Sequence, residues 1–481
     1  MTVDEPSIRS RSTGSAPADS DRLAALLAAW LPRQRWFAGR GQLTGGVLVT
    51  SRVQVGATAD ARFEHLLIDV PDPEGGAQRC YQLWIGARAE LPRKLAHHEI
   101  GRLGDPETSG PTEVLYDALH DNALSSLLLA AMVQGTDLGD VQCSTTSGAD
   151  VDPAAPGLVV SGEQSNTSVV YGQSAILKIF RRLEPGPNPD AEVHAALAQR
   201  SPRHVARLLG ELTGELQGTR TTLGVLTEFF ANSADGWMAA SASVRDLMAE
   251  GDLRADEVGG DFAAEAERLG AAVAEVHREL AEAFGTVTVH ADDLRRTLGD
   301  MAELARRTAS AVPELAEYAE RIDAAFAEAA ASAASMTLQR IHGDLHLGQT
   351  LRTLSGWAII DFEGEPSKPL EYRRALHSPL RDVAGMLRSF DYAAHHLLPG
   401  SHPDAQHAYR ATEWAARNRR AFCVGYAAKG GGDPRHAGSL LRAFELDKAI
   451  YEVRYEHDHR PGWLPIPLHA VAQLTRPGGT S

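Results

Sequence analysis

The residues best suited to chemistry lie in two short blocks, residues 341–349 (IHGDLHLGQ) and residues 359–366 (IIDFEGEP). Phosphoryl transfer from ATP needs a carboxylate that orients the acceptor hydroxyl or takes its proton, and it needs ligands for the Mg²⁺ ion on the phosphates. Asp344 suits the first role, while Asp361 and Gln349 suit the second. Gln349 follows Asp344 by five residues, as the asparagine follows the aspartate in the kinase catalytic loop H-R-D-x-x-x-x-N. The two blocks therefore predict a kinase that uses ATP and Mg²⁺.

Three further polar residues accompany these blocks. His346 either approaches the transferring phosphoryl group or holds the loop, and we take it as a candidate catalytic residue. His342 is expected to pack and hydrogen-bond within the catalytic loop. Asp382 lies at the start of a predicted helix, where the helix dipole favours an acidic side chain.

A lysine on an upstream strand is the candidate phosphate ligand. Lys178 alternates with apolar residues in the predicted strand 175–180, as a phosphate-gripping lysine should. Glu192 follows fourteen residues later in a predicted helix, from which it would pair with Lys178. Either residue alone would usually be solvated, but their joint position upstream of Asp344 favours a nucleotide-binding role.

The expected glycine-rich nucleotide loop G-x-G-x-x-G is absent, and residues 162–168 (GEQSNTS) stand in its place. Ser165, Asn166 and Thr167 are candidate phosphate ligands, although a plain polar hairpin explains the same sequence equally well. The linker after the last strand of this region is expected at Glu228 and Phe229, whose backbone would meet the adenine edge.

The acceptor is expected on a long helix near the end of the chain. Sugars are recognised by aromatic faces together with polar groups. Such a set recurs at spacings of three or four residues, so that its members share one helix face: Lys448, Tyr451, Glu452 and Tyr455. A tyrosine stripe at this spacing is more often core packing, but the lysine and glutamate on the same face favour substrate binding.

The elements that must position these residues suggest an α+β chain with a mostly helical C-terminal part. We expect a disordered tail over 1–20, a domain over 21–90, an intermediate subdomain over 91–156, a strand-rich lobe over 157–230, and a helical lobe over 231–481 that holds the catalytic blocks. A helix is predicted over 111–134, starting at Pro111. Within the helical lobe, apolar spacing predicts helices over 262–284, from Ser378 onwards, and over 436–457.

Composition restricts the function further. The 481 residues carry a formal net charge of −16, which disfavours nucleic acid and anionic membranes as partners. Only three cysteines occur, without a CxxC pair, so neither a disulfide framework nor a structural zinc site is expected. No signal peptide or membrane-spanning run is recognised, and a cytoplasmic protein is expected.

The catalytic blocks resemble those of the aminoglycoside phosphotransferase-like kinases, which carry H-G-D-x-H-x-x-N and then [IV]-D-[FW]-E. The sequence is more closely similar to the maltokinase family of actinobacteria, on the strength of HGDLHLGQ, DFEGEP and the segment 378–390. The stretch 35–40 (RWFAGR) and the helix 445–455 also resemble that family. The resemblance implies a two-lobed protein-kinase-like fold with an N-terminal cap domain. It also implies that Asp382 anchors the backbone of the catalytic loop.

The same resemblance implies a kinase that converts ATP and maltose to ADP and maltose 1-phosphate in a trehalose- or glycogen-linked pathway. Glucosamine or an aminoglycoside is the alternative acceptor, because related glucosamine kinases share much of the framework. A catalytically weak pseudokinase or scaffold is the alternative of another class. The expected partners are a sugar and ATP, with an association with a trehalose-pathway enzyme as a further option, and the chain is expected to be a monomer or weak dimer.

Overall fold

The computed structural model describes residues 17–37, 43, 45–72, 76, 78–104, 112–146, 148–160, 165–200, 202–250, 253–332, 334–398, 404–430 and 432–476. The chain divides into two units, Met1–Ala191 with Leu208–Ala231, and Glu192–Arg207 with Asn232–Ser481. Most of the tail predicted over 1–20 lies outside the described residues, although a helix already begins at Pro17. No helix of the described part is long and apolar enough to cross a membrane.

The first unit begins with a helix and an antiparallel sheet in the order β1-β2-β3-β5-β4. Its elements are α1 (Pro17–Trp30), β1 (Leu48–Ala57), β2 (Arg62–Val70), β3 (Arg79–Arg88), β4 (Glu99–Leu103), β5 (Glu113–Asp117) and α2 (Asn122–Gln134). Apolar side chains of α1 and of the central strands, such as Leu27, Leu66 and Leu83, form its core.

The helix predicted over 111–134 is wrong in its first half. Residues 113–117 (EVLYD) form β5 instead, because the apolar run from Val114 to Tyr116 is buried in the sheet. The helix begins only after Asp121, whose side chain caps it, and it ends at Gly135 in the left-handed region (φ 64°). The first sheet therefore extends well past residue 90, where the sequence placed a boundary.

A second sheet of the first unit has the order β6-β11-β12-β9-β8-β7. Its strands and neighbouring elements are β6 (Gln142–Thr145), β7 (Gly157–Val160), β8 (Asn166–Tyr171), β9 (Ala175–Phe180), β10 (Arg182–Leu183), α3 (Pro189–Ala198), β11 (Leu208–Leu216) and β12 (Thr219–Glu228). β10 follows β9 of this sheet but pairs with β3 of the first sheet, so two consecutive strands connect the two sheets. The side-chain amide of Gln82 on β3 reinforces this junction by donating to Phe180 O at 2.7 Å and Leu223 O at 2.6 Å.

The second unit is mostly helical, as expected. Its elements are β13 (Ala234–Asp235), α4 (Gly236–Ala249), α5 (Ala263–Phe284), β14 (Thr286–His290), α6 (Ala291–Ala311), α7 (Pro313–Ala316), α8 (Ala319–Ser332), β15 (Ser335–Gln339), β16 (Thr350–Thr353), β17 (Gly356–Ile359), α9 (Leu370–Arg374), α10 (Leu380–His395), α11 (Ala405–Gly430), α12 (Ser439–His459) and α13 (Pro465–Leu474). Helices α5, α10 and α12 confirm the three helices predicted from apolar spacing. Together with α11 they contribute to the core of this unit, and α5 packs against β15 and β17, the strands next to the catalytic blocks.

Candidate active site

A β-hairpin brings the two candidate metal ligands together. β16 pairs with β17 so that Thr350 lies opposite Ile359, and Ile360 N donates to Gln349 O at 3.0 Å. The side chains of Gln349 and Asp361 consequently meet, with Gln349 Nε2 donating to Asp361 Oδ2 at 3.0 Å. Asp361 has φ 68°, a left-handed conformation that is costly for a residue other than glycine and is typical of functional sites.

This pair fits a magnesium ion that also binds phosphate. Mg²⁺ is usually held by one or two carboxylates together with substrate phosphates and water. Asp361 supplies the carboxylate, and rotation of the Gln349 amide would present its oxygen. Within the described residues no group of three His, Cys, Asp or Glu side chains is arranged to hold a metal ion.

Asp382, the first acidic residue of α10, fixes the backbone of the catalytic loop. Its carboxylate accepts hydrogen bonds from His342 N at 2.7 Å and Gly343 N at 2.9 Å, and His277 Nε2 lies 3.0 Å from Oδ2. Burial alone would raise the pKa of Asp382, but the hydrogen bond from His277 and the nearby positive groups hold this pKa below its usual value. The anchoring role implied by the resemblance is therefore present in the structure.

Two more contacts from α10 support the same loop. Ser389 Oγ accepts from Leu347 N at 3.0 Å. At Gly385 a Cβ atom would lie 2.6 Å from Leu345 O, so only glycine lets the helix approach the loop this closely. The loop is thus held from Gly343 to Leu347 along one side of α10.

Asp344 forms an ion pair with a lysine of α12. Lys448 Nζ donates to Asp344 Oδ1 at 2.9 Å, and about a quarter of each side chain is exposed. Burial acts to raise the pKa of Asp344, but Lys448, His346 and His342 together outweigh burial, and the pKa lies below its usual value. Burial acts to lower the pKa of Lys448, but Asp344 together with Glu365 and Glu452 more than offsets burial, and the net shift is upward. Asp344 is accordingly a carboxylate with Oδ1 engaged and Oδ2 without a hydrogen bond among the described residues.

Both histidines of the block are bonded to loop backbone. His346 Nδ1 accepts from Gly348 N at 3.1 Å and caps the 3₁₀ turn Leu347–Gln349, and burial lowers the pKa of His346. His342 Nε2 lies 2.9 Å from Ile360 O and so ties the catalytic loop to the residue before Asp361. A neutral His346 in this position holds the loop, and its catalytic role stays a prediction.

The predicted acceptor face on α12 divides into two sets. Lys448 lies over the ring of Tyr451, 5.0 Å from its centroid, and the rings of Tyr451 and Tyr455 stack at 6.3 Å. Tyr455 is 37% exposed, whereas Glu452 is only 9% exposed. Glu452 accepts hydrogen bonds from Arg388 Nε at 3.0 Å and Nη2 at 2.8 Å. Its assignment as a substrate ligand is therefore corrected, because its carboxylate is buried against an arginine.

The lysine predicted to grip phosphates has a different carboxylate partner from the expected one. Lys178 Nζ lies 3.3 Å from Asp190 Oδ2. Glu192 instead bonds Arg340 Nη2 at 2.8 Å and Arg374 Nη2 at 2.7 Å. The predicted Lys178–Glu192 pair is wrong, because Glu192 is held by two guanidinium groups within the second unit.

The nucleotide-loop candidates also differ among themselves. Ser165 is exposed, but Asn166 and Thr167 are each 6% exposed, and residues 161–164 lie outside the described part. Thr167 Oγ1 accepts from Arg181 Nε at 2.8 Å, and Arg181 Nη2 bonds Asp117 at 2.5 Å. Thr167 thus contributes to a buried structural contact.

The candidate linker shows a similar restriction. Phe229 N donates to Ser174 O at 3.0 Å, and Phe229 O accepts from Ala231 N at 3.0 Å. Glu228 lies opposite Ala175 in the β12–β9 ladder. The backbone N–H of Phe229 is already paired, and the contact of this linker with adenine stays a prediction.

Sequence reasoning missed His277, Arg388 and Ser389. His277 is a buried polar residue within the apolar stripe of α5, and Ser389 follows Asp382 by seven residues on α10, so both had a recognisable signal. The partner of Arg388 on α12 had no such signal, because nothing local relates residues 388 and 452.

Known proteins resemble this chain in both units. Residues 30–121 match the family described as "Maltokinase N-terminal cap domain", and residues 158–394 match the "Phosphotransferase enzyme family". A protein of Streptacidiphilus jiangxiensis named "Glucosamine kinase" is 31% identical over 330 residues, which cover 66% of this chain and 73% of the relative. The chain belongs to the phosphotransferase enzyme family. This phosphotransferase is an ATP-dependent kinase that acts on a hydroxyl group, and it carries a maltokinase-type cap domain.

Further similarities agree with this assignment. A "Glucosamine kinase" of Mycolicibacterium smegmatis (strain ATCC 700084 / mc(2)155) is 28% identical over 328 residues, covering 66% of the phosphotransferase and 79% of the relative. The solved structure "Glucosamine kinase in complex with glucosamine, ADP and inorganic phosphate" has a TM-score of 0.64 at 23% identity, covering 94% of this chain and 98% of that one. A second, "Glucosamine kinase (crystal form B)", has a TM-score of 0.67 at 23% identity, with 94% and 99% covered. The expected protein-kinase-like fold with a cap domain is confirmed.

Proposed function

We propose that this phosphotransferase transfers the γ-phosphoryl group of ATP to a hydroxyl of a neutral sugar, with maltose as the acceptor and maltose 1-phosphate as the product. The observation that carries the proposal is the Asp344–Lys448 ion pair, 2.9 Å long. The carboxylate that must face the acceptor already has a cation beside it. A neutral hydroxyl can still bond to Oδ2 of Asp344, whereas an ammonium group on the acceptor would be repelled by Lys448.

The residues divide the work of the transfer among them. Asp344 orients the acceptor hydroxyl and takes its proton as the oxygen–phosphorus bond forms and the bond from the γ-phosphorus to the bridging oxygen of ATP breaks, so that ADP leaves. Gln349 and Asp361 would hold Mg²⁺, which neutralises charge on the phosphate oxygens when it is bound. Lys178 of the first unit stays a predicted phosphate ligand, as a point charge. Transfer is direct, since the chemistry needs no phosphoenzyme.

Tyr451 and Tyr455 support a sugar acceptor. Their stacked rings continue outward from Lys448 along α12, and Tyr455 is partly exposed. Aromatic faces pack against the CH patches of a sugar, while the ammonium and phenol groups bond its hydroxyls. The maltokinase-type cap domain matched over residues 30–121 agrees with maltose as this sugar.

Glucosamine is the second candidate acceptor, because two relatives that match this chain carry the name "Glucosamine kinase". One acid near the site favours an amino sugar. For Tyr451, burial is the main cause of a raised pKa, and the charge of Glu365 adds to it. For Lys448, burial acts to lower the pKa, whereas Asp344 and then Glu365 act to raise it. Glu365 is the carboxylate that an acceptor ammonium would need.

A coupled ADP-release assay with maltose, glucose, glucosamine and kanamycin separates these acceptors. Maltose is expected to give the highest kcat/KM. The variant Lys448→Met should lower activity on maltose and narrow the preference over glucosamine, because the repelling cation is removed. Glu328→Gln is the matched control. It removes the exposed partner of Arg442, which lies on the same helix as Lys448, and it should leave the preference for maltose unchanged. A wild-type preference for glucosamine would refute maltose as the acceptor, and turnover of none of the sugars would refute the acceptor class.

A further inference from the structure

A buried ionic network lies directly beneath the acceptor face of α12. Arg388 of α10 bonds Glu452 of α12 through two hydrogen bonds, and its Nη1 donates to Asp391 at 2.8 Å. Arg419 of α11 joins the network by donating to Asp391 at 3.1 Å and to Glu445 at 2.7 Å. Arg388 is 1% exposed and Glu445 is fully buried. Three helices are thus fixed to one another by charged groups, of which Arg388 and Glu445 are buried and Asp391 is partly exposed.

Buried ionic networks are poor sources of stability, because the loss of hydration offsets much of the attraction between the charges. Burial raises the pKa of Glu452 and of Glu445, which shows that their ionised forms are only partly compensated. An apolar interface of similar volume would hold the helices together at least as well. The network therefore calls for a role other than helix association, and directional hydrogen bonds supply one by fixing the register of α12 against α10.

The register matters because α12 and α10 both reach the catalytic loop. Helix α10 holds the loop through Asp382 and Ser389. Helix α12 reaches Asp344 in the same loop through Lys448, which lies one helical turn before Glu452. The contacts form a closed circuit: the loop to α10, α10 to α12 through Arg388 and Glu452, and α12 back to the loop through Lys448.

We propose that Arg388 and Glu452 are positioning residues for the phosphotransfer, which set the place of Lys448 and thereby the orientation of the Asp344 carboxylate. Glu452 acts on Asp344 only through Lys448. A shift of α12 along α10 would move Lys448 away from Asp344 Oδ1 and leave the carboxylate free to rotate. Misplacement of a reacting group by about 1 Å is enough to cost a large factor in rate.

A double-mutant cycle tests this indirect action. Wild type, Glu452→Gln, Lys448→Met and the double variant are compared by kcat, by the KM of ATP and by the KM of the acceptor. Glu452→Gln keeps the shape of the side chain, and Asp391 still neutralises Arg388. We expect Glu452→Gln to lower kcat roughly tenfold in the wild-type background and no more than about twofold in the Lys448→Met background. The KM of ATP should be unchanged in all four proteins.

Two outcomes of this double-mutant cycle would contradict the indirect action of Glu452. An equal loss of kcat in both backgrounds, or no loss in a protein that melts normally, would overturn the proposal, since a purely structural residue does not depend on Lys448. If Glu452→Gln does not fold, Glu452→Asp keeps the charge, shortens the reach and completes the same cycle. Glu328→Gln is the control for loss of an α12 ion pair on another face.

The inference rests on the proposed sugar kinase activity, but it fails separately from it. A wild-type enzyme that turns over none of the sugars refutes the acceptor class. The same four proteins are then compared by thermal melting, where a non-additive change in Tm supports the coupling of Glu452 to Lys448 and an additive change overturns the proposal.

Discussion

Replacing Asp382 by alanine should detach the catalytic loop from α10. The Asp382 carboxylate is 1% exposed and accepts hydrogen bonds from two backbone N–H groups and from His277. Asp382→Ala leaves these three donors buried and unpaired. An unpaired buried donor costs about 1 to 3 kcal/mol, and such costs are less than additive when neighbouring groups relax together. We therefore expect a loss of about 4 kcal/mol in the free energy of unfolding of the second unit, in the range for breaking a buried charge interaction.

This loss should be visible in calorimetry and in activity. For a domain of this size, each kcal/mol lowers Tm by about 2 to 4 °C, so the transition of the second unit should fall by on the order of 10 °C. The turnover measured by coupled ADP release should fall at least about 100-fold at a temperature where the variant is folded, because the loop that carries Asp344 is no longer held. Asp382→Asn is the matched variant. Its Tm and turnover should lie between those of wild type and Asp382→Ala, because its amide oxygen keeps one acceptor.

The pKa of Asp382 predicts how the difference in Tm between wild type and Asp382→Ala depends on pH. Its pKa is lower in the folded protein than its ordinary value of 3.8. Asp382 therefore contributes stability that is fully present above the ordinary carboxyl range and is lost as the pH falls through the folded pKa. The gap in Tm between wild type and Asp382→Ala should shrink at acidic pH. A gap below about 2 °C at neutral pH, with kcat within about threefold of wild type, would refute the anchoring argument.

Three further predictions concern the catalytic loop. Asp344→Asn should lower kcat by about 10² to 10⁴, the usual contribution of a positioned general base, with no loss of the folded state in circular dichroism. Lys448→Met should move the acid limb of the pH profile of kcat/KM to higher pH, because it removes an ammonium that helps to hold the pKa of Asp344 below its usual value. An acid limb that does not move would contradict this electrostatic role. Gly385→Ala should lower kcat because its Cβ would press on the loop carbonyl at 2.6 Å, whereas Gly299→Ala on an exposed face of α6, where nothing lies within 4 Å, should be neutral or slightly stabilising in a thermal melt.

Local spacing was sufficient for the parts of the site that lie within one short stretch of chain. Gln349 and Asp361 meet because a tight hairpin separates them, and a hairpin is readable from alternation and turn residues. The placement of Lys448 and Tyr451 on one face follows from helical periodicity. The resemblance to known kinases added the anchoring role of Asp382, which composition and spacing alone did not provide.

Choices of partner between distant elements could not be predicted in the same way. Helical spacing placed Glu452 correctly on the face of Lys448, but it could not show that Arg388 covers that part of the face. The distance along the chain from Lys178 to an acid did not distinguish Asp190 from Glu192, since both begin the same helix. Thr167 was taken for a phosphate ligand because nothing in the sequence links it to Arg181. In each case a buried charge selected the partner, and that selection depends on tertiary packing.

Helix α10 shows how much more a single helix can reveal. Its apolar stripe of Val383, Leu387, Phe390 and Ala394 is buried, as its periodicity predicts. A second stripe at the same spacing contains Asp382, Gly385 and Ser389, which are acidic or small, and every member contacts or closely approaches the catalytic loop. Large side chains on that stripe would fill the space the loop occupies, and apolar ones would leave its N–H groups unpaired. In α10, a stripe of small and hydrogen-bonding residues beside the core stripe therefore marks the face on which the helix supports the catalytic loop.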